Sequence, residues 1–160
     1  NYFMGKMLKH GDETKRLMLF KKGVGQYEQV DEDKWSNLDM EVHERMIVDG
    51  PVGTLKNHVE HNDFKSLKHY LARHNEYSSW EVGRYFEVIN DSAKKQSLNR
   101  RRKIKYYFLN QWYFGLMYFI YSFVIKRGFL DGWNGFVFAG CKMSYYFEIY
   151  CKIKEKQLLR

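Results

Sequence analysis

One hundred and sixty residues, 19.5 kDa, make one ordinary domain, with room for a core but not for several modules. With 44% hydrophobic and 29% charged residues, the chain is neither disordered by composition nor a polytopic membrane protein. The 27 Lys and Arg against 19 Asp and Glu leave a net +8, which suits phosphates, nucleic acid or an acidic lipid surface, and 18% aromatic residues stand beside a single Pro.

In chain order, the sequence opens Asn1-Tyr2-Phe3 with neither an initiator Met nor a signal-peptide pattern, so the expectation is either that something was cleaved off or that this is a piece of a longer protein. Residues 1–61 read as short strands and loops. Lys15 to Lys21 is an apolar run with basic flanks, Lys22-Gly23-Val24-Gly25 signals a turn, and Gln26 to Val30 reads as the return strand of a hairpin. A polar loop, Asp31 to Asp39, leads to a strand over Met40 to Val48, closed by the turn Asp49-Gly50-Pro51. Val52 to His61 reads as one more strand.

Residues 62–90 change period. Phe64, Leu67, Tyr70/Leu71, His74, Tyr77 and Trp80/Glu81 recur at three and four, which predicts a long helix near 63–88 with Asn62 or Asp63 as N-cap. Asp91 to Lys105 is strongly basic around Arg100-Arg101-Arg102-Lys103, and Tyr106 to Ile125 then carries no charge. Twenty helical residues span about 30 Å, enough for a bilayer core. Asn110, Gln111, Ser122 and the tyrosines of this run favour instead an amphipathic helix in the headgroup layer, with Arg100, Arg101, Arg102, Lys103 and Trp112 as its membrane contacts. A helix packed on the rest of the protein and a true span stay open. After the Gly-rich link near Gly132, Gly135 to Lys156 forms a last amphipathic stretch. The fold class is α+β, in two parts, 1–90 and 91–160.

Few motifs carry chemistry. Asp31-Glu32-Asp33 spells Asp-x-Asp but falls in a polar loop. His58 and His61 are three apart, so a regular strand sends them to opposite faces. His69 and His74 point about 140° apart around a helix. No Cys/His zinc spacing and no Gly-rich phosphate loop is present. Cys141 and Cys151 on one helix would lie about 15 Å apart along its axis, beyond disulfide range, and read as core thiols or the mark of a reducing compartment. Glu41-Val42-His43-Glu44-Arg45, just before the Asp49-Gly50-Pro51 turn, mixes a metal ligand or proton acceptor with two carboxylates. His43 and Glu44 serve one site only if the strand ends there.

Several segments are similar to the second half of family 2 glycosyltransferases, in the bacterial branch that builds lipopolysaccharide, capsule and other surface glycans. They are Arg16 to Gly23, Val42-His43-Glu44, Val48 to Leu55, His61 to Leu67 with Arg73 to Ser78, and Gly128-Phe129-Leu130-Asp131-Gly132 followed by Gly135-Phe136. The resemblance covers nearly the whole chain and implies a GT-A fold, of which this chain is the acceptor-side part (1–90) followed by a membrane-associating helical region (91–160). It implies inverting transfer of a sugar from a nucleotide-sugar donor to a lipid-linked or lipopolysaccharide glycan acceptor, at the cytoplasmic face of the bacterial inner membrane. The divalent metal (Mg or Mn) would be bound mostly by an upstream half. On that resemblance Glu44 is the catalytic base and His43 a metal or diphosphate contact, or the reverse, with Arg16 and Lys21 as weaker phosphate contacts. The rival expectation is a non-catalytic peripheral membrane-binding module. Nucleic acid is not an expected partner, because the aromatics cluster in uncharged segments rather than alternating with cations on strands.

Overall fold

The computed structural model describes residues 1–11, 17, 19–27, 46–55, 57 and 59–159. It is α+β, with two small antiparallel sheets and a set of helices that holds the core. Strands β1 (Tyr2–Phe3) and β2 (Lys6–Met7) pair across the two-residue loop Met4-Gly5. Both loop residues have positive φ (50° and 76°), as a two-residue turn of the right twist demands. Met bears that conformation at a cost that Gly or Asn would not, which is why the sequence carries no obvious hairpin signal here.

The second sheet pairs β3 (Gly25–Tyr27) with β4 (Met46–Val48), Gly25 opposite Val48. This corrects the expected hairpin partner. The Lys22-Gly23 turn forms, with the Val24 amide donating to the Lys21 carbonyl, but the described residues before it are not in a strand. Gly25 suits its place because a Cβ there would come within 2.8 Å of Met46 Sδ and Val48 Cγ1. The described part of 52–61 is coil, not the expected strand.

Helix α1 (Leu67–Asn90) runs 24 residues. Its N-cap is Ser66, whose Oγ accepts from the His69 amide at 3.1 Å, rather than Asn62 or Asp63. Asp63 instead takes the Arg73 guanidinium, and that hydrogen bond, against a smaller desolvation effect, holds its carboxyl below the ordinary value. Leu67 and Leu71 of the expected apolar face are exposed; Tyr70, Val82, Tyr85 and Val88 are buried. Helix α2 (Ser92–Ser97) is capped by Asp91, and α3 (Arg100–Leu109) by Asn99. After a turn at 110–113 come α4 (Phe114–Phe119) and a π-helical segment (Ile120–Ile125). A 3-10 turn (Gly128–Asp131) and the 26-residue α5 (Trp133–Leu158) complete the chain.

The main core joins α1, α3 and α5 through Val82, Tyr85, Leu109, Ile149 and Ile153, so it draws on both sides of position 90. Each such fully buried side chain contributes about 1.5–3 kcal/mol. Beside it runs a polar seam between α1 and α5. Lys152 Nζ lies 2.7–2.9 Å from Asn75 O, Asn75 Oδ1, Ser78 Oγ and Ser79 Oγ, and 2.7 Å from Glu148 one turn back. His74 stacks on Tyr70 (3.9 Å between centroids) and its Nδ1 donates to the Tyr70 carbonyl, fixing the tautomer. The histidine is thus used for packing.

The β1–β2 hairpin is sewn to the opposite end of the chain. Phe3, nearly fully buried, meets Phe64, Tyr70 and Phe138 edge-on at 4.9–5.3 Å. Asn134 Nδ2 donates to the Phe3 and Met4 carbonyls, and the Gly11 amide donates to the Lys126 carbonyl. At the centre is Asp131, only 3% exposed. Its carboxylate accepts the amides of Lys9 (3.1 Å) and His10 (2.8 Å), and its carbonyl accepts Lys6 Nζ. Burial pushes the Asp131 carboxyl up, but the His10 and Lys9 amides and the His10 ring outweigh it and leave its pKa below the ordinary value.

Glycines make the close crossings. A Cβ on Gly115 would lie 2.5 Å from the Met143 carbonyl oxygen, and one on Gly135 would lie 2.0 Å from that of Gly128. Gly140, on the same helix as Gly135, has open space at its Cβ position. Gly135→Ala should therefore lower stability by about 1–3 kcal/mol through forced backbone shifts, whereas Gly140→Ala should raise it by about 0.5–1 kcal/mol. Urea midpoints of the two variants should move in opposite directions; a shared sign contradicts the packing described.

Burial first, and then the Lys142 charge, lower the His74 pKa from 6.5 to about 4. The unfolded chain then binds the extra proton between these values, so stability falls as pH drops from 6.5 towards 4, by up to about 1.4 kcal/mol per pH unit. The Asp131 contribution, present above its ordinary value, is lost only at still lower pH. In His74→Phe the slope between pH 6.5 and 4 should flatten; urea midpoints with an unchanged slope would remove His74 from the acid response.

Candidate functional site

The residues singled out in the sequence divide sharply. His43, Glu44 and Arg16, together with Asp31-Glu32-Asp33 and His58, lie outside the described residues. Lys21 is exposed, in the coil that enters the Lys22-Gly23 turn. Among the described residues no three His, Cys, Asp or Glu side chains come together as a metal site would require. Cys141 and Cys151 both fall on α5 and are free; Cys151 is exposed rather than a core thiol.

The remaining group, Arg100, Arg101, Arg102, Lys103 and Trp112, lies wholly among the described residues, the four cations on α3 and Trp112 in the turn that follows it. Asn99 Oδ1 accepts the Arg102 amide at 2.9 Å and starts α3 there, so all four cations occupy its first turn. That is the end of a helix where unpaired amides and the macrodipole favour negative charge, and a cation there typically forfeits 0.3–1 kcal/mol. Four in succession make a patch that an external anion stabilises twice over, through the side chains and through the helix end. Arg100, Arg101 and Lys103 project into solvent.

The uncharged run that follows is not one helix. The Gln111 amide donates back to Phe108 O and the Phe114 amide to Gln111 O, turning the chain at 110–113 and leaving Trp112 64% exposed. From Phe114 to Ile125 the chain is helical for 12 residues, about 18 Å, well short of a bilayer core. The Lys126 amide reaches back to Tyr121 O at 2.8 Å, the longer bond of a π-turn, and Arg127 then takes a left-handed conformation (φ 58°) that reverses the chain. Among the described residues no helix is long and apolar enough to cross a membrane.

What this segment does present is apolar surface. Ile125 and Trp133 are 66% and 68% exposed, and Ile120, Val124, Phe129, Leu130 and Phe136 stand out beside them. Its aromatic members are in contact. Trp133 stacks on Phe136 at 5.4 Å, Phe136 meets Phe119 and Phe123 at 5.8 and 5.7 Å, and Phe123 meets Phe129 at 6.3 Å. Lys126 and Arg127 border it, with Lys126 Nζ 5.8 Å from the Tyr121 ring centre. Exposed apolar patches larger than a few hundred Å² and rimmed by polar residues are where proteins commonly meet partners or membranes.

Gly128, Asp131, Gly132 and Gly135, quoted above for a family likeness, act here as structural residues: two allow close approach, one permits the positive φ of 67° before α5, and Asp131 holds the hairpin. Ile125 and Trp133 were not singled out in the sequence, and Phe129 was named only within the family likeness. Their signal was present in the break that Gly128 and Gly132 impose, since a chain reversing after a short helix cannot bury every side of an apolar run. Comparison with known protein families, curated proteins and solved structures found no match.

Proposed function

We propose that this chain is the acceptor-side, membrane-associated portion of an inverting family 2 glycosyltransferase of GT-A architecture. The 91–160 region attaches it to an anionic, cytoplasmic-facing bilayer surface. One observation carries the attachment: the exposed aromatic group of Phe129, Trp133 and Phe136, with exposed Ile125 in the preceding helical segment, occurs in the same region as the cationic first turn of α3. A patch of this kind gains from entering the headgroup layer, and each cation near an anionic surface adds about 1 kcal/mol. No span is required.

The transferase half of the reading rests on the sequence likeness. It assigns Glu44 to deprotonation of an acceptor hydroxyl, His43 to the donor diphosphate or a divalent metal, and Arg16 and Lys21 to phosphate contact. The donor is a nucleotide sugar and the acceptor a lipid-linked or lipopolysaccharide glycan. Bringing the acceptor-side residues to a lipid boundary is what a lipid-linked acceptor needs, and that is how the two halves of the proposal support each other.

Deleting 100–160 would not test attachment cleanly, because Leu109, Ile149 and Ile153 build the core. Point substitutions avoid this. Arg100→Gln with Arg101→Gln should cost about 2 kcal/mol, roughly thirtyfold, in partitioning to anionic vesicles. Ile125→Ser with Trp133→Ser should weaken binding to anionic and neutral vesicles alike. Flotation that is indifferent to both pairs would overturn the attachment.

In an active preparation, Glu44→Gln should abolish sugar transfer from a nucleotide sugar while donor binding persists. Turnover at the wild-type rate removes Glu44 from the mechanism. A chain that floats with vesicles yet supports no transfer in any preparation would be the non-catalytic module instead.

A further inference from the structure

The C-terminal end of α1, helix α2 and helix α3 enclose a cleft of about 670 Å³, within the size range of small-ligand sites. Its walls follow helical spacing on each element. Tyr85 and Ile89 come from α1, Ser92, Lys95 and Gln96 from α2, and Lys103, Tyr106 and Tyr107 from one face of α3, with Asn110 at its C-cap. Three faces thus converge. Two features define the chemistry. Lys95 and Lys103 both line the cleft, and among the described residues neither has an ion-pair partner and no carboxylate lines it. The neighbouring cations behave otherwise: Lys94 is engaged by Glu87, and Lys105 lies 2.7 Å from Glu81. The other lining groups are hydroxyls and amides on one side and the apolar Ile89 and Leu98 with tyrosine rings on the other.

We propose that this cleft binds a phosphomonoester group carried on an amphiphile. Two ammonium groups from different helices match a dianion, the Ser92 hydroxyl and the Gln96 and Gln111 amides supply donors for its remaining oxygens, and the apolar wall takes the carbon chain that bears it. The inference rests on the membrane-surface reading, because Tyr107, on the cleft wall, is exposed on the helix that carries the cationic turn. A monophosphorylated lipid headgroup and a free phosphorylated metabolite share this chemistry.

The test uses the whole chain and two soluble probes, dihexanoyl phosphatidic acid below its micelle concentration and inorganic phosphate, followed by amide chemical shifts. The short-chain lipid should bind saturably, with shifts centred on Lys95, Gln96, Lys103 and Tyr107. Lys95→Gln should weaken it about tenfold, the loss expected for one charge-assisted contact. Lys95→Arg should restore most of the affinity, and Lys103→Gln should repeat the loss. Unaltered far-ultraviolet dichroism in each variant identifies the loss as one of binding rather than of folding.

Tighter binding of the short-chain lipid than of inorganic phosphate supports the amphiphile. Equal binding of both at the cleft overturns the amphiphile and identifies a free phosphate as occupant. Absence of saturable binding by either probe, or shifts unaffected by Lys95→Gln, overturns the site. Lys95 is not among the cations assigned to vesicle attachment, so the two readings fail separately. Flotation indifferent to the Arg100, Arg101 and Ile125, Trp133 pairs, with saturable probe binding intact, overturns the attachment alone, whereas flotation weakened as expected with no saturable probe binding overturns the cleft alone.

Discussion

A single buried carboxylate organises this molecule. Asp131, at the end of a one-turn 3-10 segment, gathers the amides of Lys9 and His10 and so ties the first eleven residues to the place where the last helix begins. Desolvating an ionised carboxylate is costly, and only charge-assisted bonds from fixed donors offset it. The surrounding sequence supplies that fixity. Gly132 turns the chain with a positive φ that L side chains rarely adopt, Gly128 and Gly135 let two backbone segments approach within contact, and Asn134 holds the hairpin carbonyls. Phe3 then completes an aromatic group with Phe64, Tyr70 and Phe138 that none of these segments could form alone. Segments 121 and 122 residues apart in sequence are bonded directly through this one side chain, and the Asn134, Gly11 and Phe3 contacts extend the seam.

Much of the helical part was legible in the sequence. The three-and-four recurrence from Phe64 to Trp80 marks α1, and the amphipathic pattern after Gly135 marks α5; both are long elements in which periodicity dominates local noise. The buried stripe of α1 was only half legible. Tyr70 and His74 pack as their spacing requires, but farther along Ser78 and Glu81 are buried because α5 brings Lys152 and α3 brings Lys105 to meet polar groups there. Such pairing depends on which helix arrives, and that information is not local. The N-cap fell on Ser66 rather than Asp63 for a similar reason: Arg73, two turns on, claims the aspartate.

The strands were harder. A Met-Gly turn carries little hairpin signal, and the Lys22-Gly23 turn is genuine without joining the two runs that flank it. Strand pairing is settled by partners distant in sequence, so Gly25 to Tyr27 finding Met46 to Val48 leaves no local trace. As for the site, the basic turn and Trp112 were visible as composition, whereas the apolar surface became visible only once the uncharged run proved to be two short helical pieces joined by a turn at 110–113 and followed by the reversal at Arg127. The cleft lined by Lys95 and Lys103 could not be read at all, since its walls come from three helices whose relative placement follows from the core.

The amide bond from Gly11 to the Lys126 carbonyl has a geometric corollary. Lys126 sits at the rim of the aromatic patch, so the backbone emerging from residue 11 departs within one hydrogen bond of the surface proposed to meet lipid. A bilayer that takes up Trp133 and Phe129 would therefore hold the crossing of residue 11 with Lys126 beside its headgroups, much as a hinge plate sets the swing of a door.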